Sequence, residues 1–195
     1  MIHNSILIII NFGMTKKLKP IELRNMTPSA DEVKSIKRNP VYFILDDVLD
    51  TYNVGTIFRL ADAIAVEKIY LCAGTQTPPN TKVKKASVNT WQWVNWEYKK
   101  TALEAINELR ADVPKIKIMA VEQAKNSRPY DKVKYRLPLA LVVGNETRGV
   151  HSEVLTATDS IVELPLLGIN TSLNVIVALS VVAYQVLESN KIRLK

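Results

Sequence analysis

A single cysteine, Cys72, leaves the chain without any possible internal disulfide. It stands in the apolar run from Lys68 to Ala73, where packing rather than nucleophilic chemistry is expected, and a reduced, cytoplasmic setting fits. Two histidines beside one cysteine make a structural zinc site improbable, and no metal is expected. Long hydrophobic runs are missing as well. The apolar stretch Ile6 to Ile10 falls far short of the ~20 residues that span a bilayer. Its lysines follow it rather than precede it, and no small-residue cleavage site follows, unlike a secretory signal. No membrane partner is therefore expected. Internal repeats and low-complexity blocks are also missing. Asn53-Val-Gly55-Thr-Ile-Phe does not supply the G-x-G-x-x-G turn of a dinucleotide-binding dehydrogenase. Gly149 is followed by Val150 and His151, where a phosphate-binding P-loop requires Lys and Ser or Thr.

What is present is positive charge. Twenty-six Lys and Arg against 19 Asp and Glu give a net charge of +7, which favours a polyanion partner such as RNA. The basic residues concentrate in three places: Lys16 to Arg38, Lys82 to Lys85, and Lys125 to Arg136. Either a phosphate-binding surface or a merely solvated one would look like this. Trp91, Trp93 and Trp96 follow the second stretch, and packing onto the sheet is favoured over base stacking.

The 195 residues suffice for one α/β domain. Residues 1–14 are expected to be an extra N-terminal tail, because Met14 offers an equally good start; residues 15–40, polar and basic with three prolines, suit an extended arm. From residue 41 strand-type runs alternate with segments of helical spacing. Strands are predicted at 41–45, 68–73, 116–121, 139–143 and 161–164, and helices from Asn53 through Ala65 and at 101–110, 151–158 and 171–189. Residues 74–90 and 125–137 read as loops. This alternation predicts a mostly parallel sheet flanked by helices, with ligands bound beyond the carboxyl ends of the strands at 41–45, 139–143 and 161–164. The final helix is apolar nearly all round from Val175 to Leu187, which demands burial on more than one side and points to a homodimer.

Three segments stand at those strand ends: Asn53-Val-Gly55-Thr-Ile-Phe-Arg59, Gly144-Asn145-Glu146-Thr-Arg-Gly149, and Leu164-Pro165-Leu-Leu-Gly168 continuing to Ser172-Leu173-Asn174. Together and in this order they resemble the signature motifs of the SpoU (TrmH-type) RNA 2′-O-ribose methyltransferases of the SPOUT superfamily, over about residues 41–189. The resemblance implies a SPOUT-type α/β fold with a C-terminal trefoil knot, and a methyltransferase domain over residues 41–195. It implies S-adenosylmethionine as cofactor, a ribose 2′-hydroxyl of RNA as acceptor, and an obligate dimer with each active site completed near the interface. The chain resembles the smaller family members, which favours tRNA over rRNA. A catalytically silent RNA-binding module of the same fold is the alternative.

Read residue by residue, Gly144 and Gly149 allow tight turns and close backbone approach to a ligand. With Asn145, Leu164, Gly168 and Leu173 they are the expected cofactor-binding residues. Asn53, Arg59, Glu146, Ser172 and Asn174 are the expected catalytic set. Asn53 and Ser172 could equally be helix N-caps, and Gly55 could serve close packing. Glu146 would orient Asn53, the Arg59 region or the substrate. A guanidinium stays protonated, so gripping a phosphate and stabilising the developing alkoxide suit Arg59 better than general-base work. Thr171 departs from the family, which often carries Glu at this place.

Overall fold

The computed structural model describes residues 27–192; the expected tail at 1–14 and residues 15–26 of the basic arm lie outside them. Ser29 opens a short helix, α1 (Ala30–Ser35), through a capping box with Glu32, inside the stretch expected to be extended. A parallel sheet follows: β1 (Asn39–Asp46), β2 (Val66–Cys72), β3 (Trp96–Lys99), β4 (Lys117–Val121), β5 (Arg128–Pro129), β6 (Leu139–Gly144) and β7 (Ser160–Glu163). Seven strands lie in the order β3-β2-β1-β6-β4-β7-β5, and every pairing is parallel. The central strands are apolar without alternation because both faces are covered.

One face carries α2 (Thr51–Ala63), α3 (Thr81–Ser87) and α6 (Val175–Ser189), packed over Phe43, Leu45, Leu71, Leu141 and Val143. The other carries α4 (Ala102–Asp112) and α5 (Ser152–Ala157), packed over Ile44, Cys72, Ala140 and Val142. Cys72 is fully buried, and burial beside Asp46 pushes its thiol up to about 12. The tryptophans pack against the core: Trp96 meets Phe58 edge to face, and Trp93 Nε1 donates to Asp62 Oδ1 at 2.6 Å.

The structure corrects three further sequence expectations. The loop at 74–90 contains α3, whose N-terminus is capped by Asn80 Oδ1 accepting from Lys82 and Val83. Its seven residues are too few for a clear helical period. The helix after β1 starts earlier than Asn53, with Asp50 as N-cap, so Asn53 lies inside it and is free for another task. The last helix begins at Val175, not 171, and Asn174 rather than Ser172 is its N-cap: Asn174 Oδ1 accepts from Ile176 N at 2.9 Å. On that helix Leu179, Val182, Ala183 and Val186 are buried, while Val177 and Tyr184 on its outer side are about half exposed. No helix of the described residues is long and apolar enough to cross a membrane.

Candidate active site

β6 ends at Gly144 and runs into a turn closed on itself. Asn145 N donates to Gly149 O at 3.0 Å and Gly149 N returns to Asn145 O at 2.8 Å. The Asn145 side chain, buried beneath, accepts from Thr147 N and Arg148 N and donates to the Asp47 carbonyl at 3.0 Å. A Cβ on Gly144 would come within 2.2 Å of the Gly149 and Val150 backbone, so the glycine is demanded by the turn itself. Gly149 has φ +69, and a Cβ there would meet Glu122 Oε2 at 2.3 Å. Asp47 and Asp46, at the end of β1, hold the far side of the turn. Asp47 Oδ2 accepts from Arg148 at 2.5 Å, and Asp46 Oδ2 accepts from His151 N at 2.9 Å.

Glu146 projects from the turn onto the start of α2. Its carboxylate accepts from Leu49 N at 3.1 Å, Asp50 N at 3.0 Å and Asn53 Nδ2 at 3.0 Å. Partial burial alone would raise its pKa; the hydrogen bonds from Asn53 and from backbone amides outweigh that and hold the carboxyl below the usual glutamate range. Amides at a helix start also favour negative charge. Asn53 in turn accepts at Oδ1 from Asn174 Nδ2 at 3.1 Å. One chain of side chains thus joins α2, the β6 turn and the start of α6.

Beside this chain lies a cavity of about 380 Å³, lined by the β6 turn, the loop before α6 and the first turn of α6. Gly144, Asn145, Glu146, Gly149, Leu164, Ser172, Leu173 and Asn174 border it. Asn53 joins it through Glu146 and Asn174. Ser172 is exposed, and its Oγ lies 3.4 Å from Asn170 Oδ1. Gly168 does not line the cavity, and its Cβ position faces open space. Arg59 is not brought to it either. It is exposed and borders a separate cleft with Asp62, Val88, Thr90 and Trp93. Among the described residues no three or more His, Cys, Asp or Glu side chains gather as a metal site.

The cavity has a wall that none of the three motifs contains. Glu122 and Gln123 follow β4 directly. Glu122 Oε2 accepts from Val150 N at 3.0 Å, and Gln123 Nε2 donates to the Thr171 carbonyl at 3.0 Å. The signal that could have found them is the one used for the other walls, since they too stand beyond the carboxyl end of a parallel strand.

Fold and cavity define an α/β protein with a ligand pocket of small-molecule size, beyond the strand ends and closed by the last loop and helix. The family model of the SpoU rRNA Methylase family matches residues 40–184, and the chain belongs to that family. It is 31% identical over 141 residues to a 23S rRNA (guanosine(2553)-2′-O)-methyltransferase of Bacillus subtilis, covering 72% of this chain and 55% of the relative. It is 28% identical over 160 residues to a tRNA (guanosine(18)-2′-O)-methyltransferase of Aquifex aeolicus, covering 79% of this chain and 72% of the relative. Among solved structures, a TrmH/SpoU tRNA-modifying enzyme of A. aeolicus superposes with a TM-score of 0.71 at 26% identity, covering 88% of this chain and 82% of that one. An AdoMet-bound rRNA methyltransferase of Sinorhizobium meliloti also gives a TM-score of 0.71, at 25% identity, covering 89% of this chain and 61% of that one.

Proposed function

We propose that this chain is a cytoplasmic RNA methyltransferase that transfers a methyl group from S-adenosylmethionine to a ribose 2′-hydroxyl, with tRNA favoured over rRNA. The observation that carries the reading is the run of hydrogen bonds from Asn174 through Asn53 to Glu146, tying three sequence-distant motifs together at the mouth of one cavity. Support for tRNA comes from coverage. The chain spans 72% of the A. aeolicus tRNA relative and only 55% of the B. subtilis rRNA relative.

The residues present fit S-adenosylmethionine. The cavity offers backbone turns at Gly144 and Gly149, apolar groups from Val143, Leu164 and Leu173, and carboxylates for a cationic ligand. Bound there, the cofactor supplies an already activated methyl group. Alignment of the acceptor and exclusion of water are then the protein's main tasks. Glu146 stays ionised and fixes Asn53, which fixes Asn174; Ser172 and Asn174 face the cavity, placed to orient the ribose. Residues 41–195 form the catalytic domain, with the C-terminal segment knotted as in the family.

Arg59 reaches the reaction through a second copy of the chain. Leu49 and Tyr52 at the start of α2, Leu167, Ile169 and Leu173 in the loop before α6, and Val177 and Tyr184 on α6 all leave apolar surface exposed. A symmetric dimer over that surface covers it and completes each pocket with the partner's Arg59, which grips a phosphate and stabilises the developing alkoxide.

The test is methylation of unfractionated tRNA and of ribosomal RNA by the purified protein with labelled S-adenosylmethionine, followed by nucleoside analysis. A 2′-O-methylated nucleoside is expected from tRNA; a base-methylated product, or none from either RNA, overturns the reading. Mixing inactive Arg59→Ala and Asn174→Ala chains tests the shared site. Mixed dimers regain up to about half of the sites if the arginine acts across the interface, and none if it acts within its own chain.

A further inference from the structure

Residues 68–96 contain four lysines and no aspartate or glutamate. Several other cations of the fold meet carboxylates: Lys68, at the start of that stretch, and Lys99 pair with Glu97, Lys117 lies 3.5 Å from Asp159, and Lys132 lies 3.0 Å from Asp131. The three lysines of α3, Lys82, Lys84 and Lys85, are exposed, and no ion pair joins them to a described carboxylate. Unbalanced charge on a short helix is self-repelling unless something anionic is meant to lie against it.

The helix is also held firmly. A Cβ on Gly55 would stand 2.5 Å from Ala86 Cβ and 2.8 Å from Val83 O, so this glycine lets α3 nest directly on α2. Val83 and Ser87 are buried against that contact, which leaves the lysines outward. Lys84 Nζ sits 5.4 Å above the Trp91 ring, and Asn80 caps the helix. Arg59, on α2, lies beside Val88 and Thr90, just past the end of α3; Glu32 and Asp62 line the rest of that cleft, so only its Arg59 edge suits an anion. Asn53, on the same helix, reaches Glu146 at the proposed active site.

We infer that the lysines of α3, with Arg59 beyond its end, form a docking track for the phosphate backbone of the RNA substrate, packed on the helix that also bears Asn53. This deepens the methyltransferase reading and rests on its choice of RNA. Of the three basic stretches in the sequence, α3 carries this role. The stretch at 125–136, where Asp131 meets Lys132 and four other cations remain, supplies the comparison.

The test is the salt dependence of RNA binding, measured with unfractionated tRNA and with poly-uridylate. Three lost phosphate contacts lower the slope of log affinity against log salt by about 2, at roughly 0.7 per contact on a single strand. The expected result is that Lys82→Gln, Lys84→Gln and Lys85→Gln together give this fall and at least a tenfold loss of affinity for both RNAs. S-adenosylmethionine binding by calorimetry and the melting temperature should not change. The comparison variant Lys125→Gln with Lys134→Gln should leave the slope near its original value. An unchanged slope in the α3 variant, or a fall confined to the comparison variant, overturns the track while leaving the methyltransferase reading standing. A wild-type chain that binds S-adenosylmethionine but neither RNA overturns both the track and the choice of RNA.

Discussion

Asn174 gives its two side-chain atoms to two different partners: Oδ1 accepts from Ile176 N at 2.9 Å, and Nδ2 donates to Asn53 Oδ1 at 3.1 Å. It caps the last helix and tethers it to α2 at once. The two tasks can be separated. Asn174→Asp keeps the cap acceptor and loses the donor, whereas Asn174→Ala loses both. Asn174→Asp is expected to melt within a few degrees of the parent yet lose at least tenfold in kcat, since small misplacements at a reacting centre are costly. Asn174→Ala is expected to lose about 1 kcal/mol of stability besides. Thermal melts beside methylation assays would show whether the two effects part in this way.

Gly149 closes the turn after β6. Its φ of +69 and the Glu122 carboxylate against it oppose any side chain. Gly149→Ala is expected to cost about 1–2 kcal/mol from the left-handed backbone alone, with a further loss from the Glu122 contact. Adding Glu122→Ala would relieve the contact but not the backbone, and it also removes the acceptor of Val150 N, so the double variant should stay well below the parent. Urea denaturation of the parent and both variants measures this directly.

Gln123 supplies, among the described residues, the only hydrogen bond from another part of the chain to residues 165–173. Gln123→Glu keeps the shape and cannot donate to a carbonyl. Amide exchange at Leu167 to Ile169 should quicken in this variant, and S-adenosylmethionine should bind several-fold more weakly while kcat at saturation holds. If Gln123→Glu matched the parent in both respects, the strap would have no part in shaping the pocket.

Glu146 makes the site pH-sensitive. Its folded pKa lies below the ordinary glutamate value, so it binds protons less readily folded than unfolded. Its contribution is complete above the unfolded value, about 4.3, and is lost as pH falls through the lower folded value. Glu146→Gln should therefore differ most from the parent near neutrality, and the gap in melting temperature should narrow below about pH 4. A gap that stays constant down to pH 3 would mean the carboxylate is not held ionised by the α2 start.

Much of this was legible in the chain itself. The alternation of apolar runs with helical spacing gives the parallel sheet because strands buried on both faces have to be apolar throughout, as β6 is. The pocket walls at Gly144, Glu146 and Leu164 follow from the strand-end rule. Less accessible were positions whose role depends on partners far off in sequence. Asn53 reads as a cap until Asp50 is seen to hold that place. Ser172 and Asn174 compete for one helix start, and only the backbone turning at 174 decides it. Glu122 and Gln123 carry no local pattern, because their meaning comes from Val150 and Thr171. Arg59 stands apart from the cavity within a single chain, which no spacing along α2 could reveal.

Half of the cavity comes from the last loop and the first turn of α6, while all seven strands are complete by Glu163. A nascent chain can thus assemble its entire sheet on the ribosome and still be blind to its ligand. Competence arrives only when the final thirty or so residues emerge and are clasped by Gln123 and Asn53. Truncation before α6 would remove the last wall of the pocket and also uncover the sheet face that Leu179, Val182 and Val186 close.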